Sequence, residues 1–152
     1  MKTKSAFTVV ELMIVLIAVG ILSTIVTVSF SAANRRARTA ENVKRAQDII
    51  NLAEQNLVLG FSSQNKYPSK GPRASIHNVS DSFRNALPEA ARANLSLTDA
   101  PDGAHTERLL YMTCIDTDSE ITGVKVAYWD YTTNAVNYTK TGETDGANIT
   151  CY

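Results

Sequence analysis

Two features of this chain have residue types and spacing that can do chemistry: one acid inside an apolar run, and one pair of cysteines. Glu11 is the single charged group among the 22 residues from Phe7 to Val28, FTVVELMIVLIAVGILSTIVTV. A carboxylate in such a run is costly unless it is paired or sits near a polar boundary. Read locally, it falls in the first turn of a helix, where unpaired N–H groups and the macrodipole favour an anion. Cys114 and Cys151 are the only cysteines. Read as a disulfide, they close a loop of about 38 residues and add ~4 kcal/mol in the chain-entropy model, pinning a tail with few apolar anchors. Two free thiols are the alternative, and metal binding would want more Cys or His nearby.

Other candidates for chemistry are weaker. His77 and His105 are isolated and show neither HExxH spacing nor a nucleophile partner. PSKGPR lacks the spacing and the GK[ST] ending of a phosphate-binding loop. Asp116, Asp118 and Glu120 alternate like the start of a calcium loop, but the later Gly and bidentate Glu are missing in register. The sequence thus predicts no enzyme, no cofactor and no resident metal.

The elements that must position Glu11 and the cysteines follow from pattern. As a helix, the 22-residue apolar run would be about 33 Å long, enough to cross a hydrocarbon layer of ~30 Å. A cleavable secretory signal competes, given Lys2 and Lys4, but its apolar core is normally only about 7 to 15 residues long. Beyond the run, Val43, Ala46, Ile50, Ala53 and Leu57 recur at spacings of three and four, one apolar stripe with Glu41, Arg45, Asp48 and Glu54 elsewhere on the surface. With no Pro and one Gly from Phe7 to Leu59, the reading is one helix of 53 residues, about 80 Å, stopped by Gly60. Residues 61–106 are turn-rich, with short helices predicted at 80–87 and 88–95.

The last third reads as three strands, 108–115, 124–131 and 135–140, rich in β-branched and aromatic residues and separated by DTDSEITG and TTN. Alternation places Leu110 and Met112, Val124 and Val126, and Val136 and Tyr138 on the face predicted to meet the helix stripe. The expected fold class is α+β: a long N-terminal helix packed on a small antiparallel sheet of about three strands.

The chain has 152 residues with equal numbers of acids and bases, which argues against a nucleic-acid coat or polyanion binder. The balance hides a gradient, +1 over residues 1–30, +5 over 31–98 and −6 over 99–152.

The start of the chain resembles the leader and N-terminal helix of a type IV pilin precursor. The residues that carry the likeness are MKTKSA, then Phe7, Thr8, an apolar pair, Glu11 as the fifth residue after the junction, Leu12, Met13 and an unbroken apolar run with Gly20. The likeness covers about 30 residues strongly and the rest only as architecture. It departs from the family's usual pattern at Ala6, where Gly is usual, and at Val28, where many members carry Pro. It implies a leader at 1–6, an assembly and membrane half at 7–30, an amphipathic half at 31–60, an αβ loop at 61–106, and a sheet with a disulfide-bounded region at 107–152. It further implies cleavage by a prepilin peptidase between Ala6 and Phe7 and N-methylation of Phe7. The product would polymerise into a helical homo-oligomeric filament on a pilus assembly platform. Glu11 would neutralise the Phe7 amine of a neighbouring subunit inside an apolar bundle, where Coulomb attraction is stronger than in water.

Topology rules conflict on orientation. Arg35, Arg36, Arg38, Lys44 and Arg45 after the span outnumber Lys2 and Lys4 before it, which by the positive-inside rule favours a cytoplasmic C-terminal part. The resemblance implies the opposite, a leader on the cytoplasmic side of the bacterial membrane and the rest outside, and the cysteines fit an oxidising exterior. The basic cluster reads as headgroup contact or a solvated helix face, or as contact with acidic patches of other subunits. Alternatives to the pilus subunit are a pseudopilin of a type II secretion system and a competence pilin that binds DNA.

Overall fold

A computed structural model of the chain describes residues 8–59, 81–118 and 120–151. The predicted leader with Ala6, the cleavage residue Phe7, the Gly60 stop, PSKGPR and His77 lie outside the described residues. Helix α1 (Val9–Leu59) is followed by the short helices α2 (Asp81–Ala86) and α3 (Glu89–Ala93) and by strands β1 (Leu95–Ser96), β2 (Leu109–Ile115), β3 (Ile121–Asp130), β4 (Ala135–Gly142) and β5 (Thr150–Cys151). The chain divides into two compact units with the boundary between Ala37 and Arg38.

In the second unit a sheet packs on the C-terminal part of α1, an α+β arrangement. β2, β3 and β4 form the expected antiparallel meander. Among the described residues the sheet has five strands, not three, and is mixed. β1 pairs parallel with β2 at Leu109 and Leu110, and β5 pairs antiparallel with it at Cys114 and Ile115. Both therefore share the edge of β2 opposite β3.

The core joins Ala46, Ile49, Ile50 and Ala53 of α1 to Phe83, Leu87, Ala91 and Leu95, and to Leu109, Tyr111, Val124, Val126 and Tyr128 of the sheet. These positions on α1 are three and four residues apart, so they form one stripe along it. Val43 packs at its margin.

The sheet corrects two predicted facings. Val124 and Val126 do face the helix, but their β2 partners are Thr113 and Tyr111, so Leu110 and Met112 lie on the outer face. On β4 the helix-facing positions are Asn137, Thr139 and Thr141, opposite Tyr128, Val126 and Val124. Val136 and Tyr138 look outward, and Tyr138 is 53% exposed. β2 is apolar on both faces, so alternation in its sequence does not reveal which face is covered. On β4, helix polar groups meet the inward residues: the Thr139 hydroxyl bonds Gln47 and the Thr141 hydroxyl bonds the Glu54 carboxylate.

Polar groups set how α1 meets the sheet. Asn42, 3% exposed, donates through Nδ2 to the carbonyls of Thr106 and Trp129, both at 3.0 Å. The Thr39 hydroxyl donates to Asp130 Oδ1 at 3.0 Å and accepts the Tyr131 N–H at 3.0 Å. Arg38 lies 5.6 Å from the Tyr131 ring centroid, and the Tyr131 hydroxyl bonds that of Thr106 at 2.7 Å.

Candidate functional site

The first unit contains the apolar part of α1. Its large side chains are exposed on every side, from 53% at Val15 to 75% at Val9, with Phe30 at 71%. No stripe is set aside for a sheet. The helix is long and apolar enough to cross a membrane, and none of its most apolar window is buried within the chain. Three of its hydroxyls bond back to their own helix: Ser23 donates to the Val19 carbonyl at 2.7 Å, Thr24 to Ile21 at 2.7 Å and Ser29 to Ile25 at 3.0 Å. Such back-bonding leaves fewer donors to be met by an apolar surrounding. Gly20 lies within the helix, and a Cβ there would meet nothing within 4 Å.

Glu11 sits where the local reading placed it, in the first turn of α1. Its partner is Thr8. The Thr8 N–H and hydroxyl both donate to Glu11 Oε2 at 2.9 Å, and the Glu11 N–H donates to Thr8 Oγ1 at 3.3 Å. This is a capping box, with Thr8 as N-cap and Glu11 three residues on, each side chain meeting the other's backbone N–H. The Thr-x-x-Glu spacing was legible in the sequence, and the dipole argument alone misses it. In the isolated chain the carboxylate therefore holds the start of its own helix. Phe7, its proposed partner from another copy, is outside the described residues.

The cysteines do form a disulfide, Cys114 to Cys151, directly across the β2–β5 pair. The residues between β4 and β5 are fastened at several further points. Gly142 turns the chain with a φ of 71°, Thr122 donates to the Glu143 carbonyl at 2.7 Å, and Thr144 is buried. Thr122 is the extra residue where the β2–β3 register shifts, which aims its hydroxyl at this segment. Asp145 accepts from Lys125 at 2.6 Å and from Lys140, and these contacts hold its carboxyl well below the usual range. Gly123 allows the close crossing: a Cβ there would lie 2.6 Å from the Thr141 carbonyl oxygen and 2.7 Å from that of Glu143.

The remaining candidates have local roles. Asp116 Oδ1 accepts the N–H groups of Asp118 and Glu120, closing the turn between β2 and β3. His105 meets Asp102, whose carboxyl is held low mainly by the N–H groups of His105 and Ala104. Among the described residues, no three His, Cys, Asp or Glu side chains come together as a metal site.

Fold and site together define an α+β protein with one helix long and apolar enough to cross a membrane and a disulfide-closed sheet. Set against family models, curated proteins and solved structures, the chain matches none.

Proposed function

We propose that this chain is a structural subunit of a type IV pilus-like filament. It is made as a membrane-inserted precursor, cut by a prepilin peptidase between Ala6 and Phe7, and polymerised on an assembly platform through the apolar part of α1. The globular unit faces outward on the cell surface. The observation that carries this reading is the apolar stretch Val9–Phe30, exposed all round and opening on a single carboxylate. An apolar helix without a polar face needs lipid or other apolar helices on all sides. A filament core supplies the second when the first is left behind. There the Glu11 carboxylate meets the methylated Phe7 amine of another copy. The disulfide fits an oxidising compartment, the periplasm or the cell exterior.

Mass spectrometry of the N-terminus in filaments sheared from cells tests the reading. A chain that begins at N-methylated Phe7 is expected; filaments whose subunits retain residues 1–6 would overturn it. Glu11 variants separate its two roles. Glu11→Gln keeps an acceptor for the capping box but removes the charge. Both Glu11→Gln and Glu11→Ala are expected to insert into membranes and assemble poorly. Normal filaments from the Gln variant would leave Glu11 a helix cap only.

A further inference from the structure

Arg35 and Arg36 are the basic residues of α1 nearest the apolar stretch, and they differ in setting from Arg38 and Arg45. Arg38 lies over Tyr131, and Arg45 is 2.5 Å from Glu41. Arg35 and Arg36 are exposed and meet no carboxylate among the described residues. From Leu12 to Asn34 the chain has 23 residues without a charge, about 34 Å of helix. A bilayer has a hydrocarbon layer ~30 Å thick and measures roughly 40–45 Å with its headgroups. A helix with Glu11 at one boundary therefore brings Arg35 and Arg36 into the headgroup layer at the other. Arg35 follows Phe30 by five residues, about 7.5 Å of rise. Neighbouring helical positions differ by about 100°, so the two guanidinium groups reach lipid on different sides. A guanidinium offers paired N–H donors matched to phosphate oxygens, and the sequence between Glu11 and Glu41 holds no acid to compete.

We propose that Arg35 and Arg36 bind the phosphates of anionic phospholipid headgroups and so fix the depth of α1 in the bilayer before assembly. This rests on the membrane-inserted precursor described above. Lipid is favoured over the acidic third of a second copy because the pair follows the apolar stretch at headgroup distance.

The test uses the full chain reconstituted in phosphatidylcholine vesicles with spin-labelled phosphatidylglycerol or spin-labelled phosphatidylcholine. The motionally restricted fraction of each label reports the lipid held at the protein. A preference for phosphatidylglycerol of about fivefold per arginine is expected. It should fall by about that factor for each arginine removed in the Arg35→Gln/Arg36→Gln variant, fall as well in about 0.5 M salt, and be unchanged in Lys44→Gln. Equal restriction of the two labels by the wild-type chain overturns the proposal, as does a preference undiminished in the double variant. Equal restriction with salt-sensitive self-association that the double variant loses would assign the pair to acidic groups of a second copy. If neither label is restricted, the chain is not in the bilayer and the underlying reading fails as well.

Discussion

Val9–Phe30 and Val43–Ala53 belong to the same helix and draw on much the same aliphatic residues, yet the first stretch is exposed all round and the second is covered along one stripe. The difference lies in where the polar residues fall. In the second stretch Lys44, Gln47 and Asn51 mark off an exposed side, and Ala46, Ile49, Ile50 and Ala53 meet a sheet from the same chain. In the first, no side is polar, so no single sheet can complete it. One amphipathic stripe is satisfied in cis; an all-apolar cylinder needs a different solvent or further helices.

The largest perturbation that should separate the two stretches is loss of the disulfide. Cys114→Ser/Cys151→Ser is expected to destabilise the sheet-bearing unit by about 4 kcal/mol in denaturant unfolding of the detergent-solubilised chain. Membrane insertion of the first stretch should be unaffected, and its loss would show that the two are coupled. A sharper contrast comes from one residue type at two places. Ile49→Ala, at a fully buried site, should cost about 3 kcal/mol, whereas Ile17→Ala, at a site 61% exposed, should leave unfolding of the globular unit unchanged.

Acid should weaken the sheet-bearing unit that covers the second stretch, through Asp130. Asp130 is held down to about 2 mainly by the Thr132 hydroxyl, aided by the Thr132 N–H and the Thr39 hydroxyl, against the opposing effect of burial. Because its folded value lies below the ordinary 3.8, its contribution is complete above about pH 4 and lost as pH falls through about 2. Asp130→Ala should therefore cost about 2 kcal/mol near neutral pH, with the gap to wild type closing on acidification. The smallest effect is a gain. The Thr113 hydroxyl is buried with no hydrogen-bond partner among the described residues, so Thr113→Val should raise stability by about 1 kcal/mol.

Much of this architecture was readable from sequence where a single signal dominated. The absence of Pro and the spacing of Ala46, Ile50 and Ala53 gave α1 nearly to its observed limits, Val9–Leu59. β3 was longer than its apolar run, because Ile121–Gly123 pair across a register shift that composition does not encode. β1 and β5 have two residues each, too few to show any period. The burial of Asn42 within the helix–sheet contact has no signal in the spacing, since its partners are backbone carbonyls far along the chain. At the candidate site, the type and position of Glu11 were legible, and its reciprocal bonding with Thr8 was encoded in plain spacing. The fastening of residues 143–149 was not, because it depends on Lys125, Lys140 and Gly123 meeting in three dimensions.

The Asn42 amide also orders events in time. Its acceptor on Trp129 is 87 residues downstream, which at roughly 5–20 residues per second takes a ribosome about 4 to 17 s to reach. During that interval Ala46, Ile49 and Ile50 have been synthesised and the strands that cover them have not. The nascent chain thus presents an uncovered apolar seam until Trp129 has emerged.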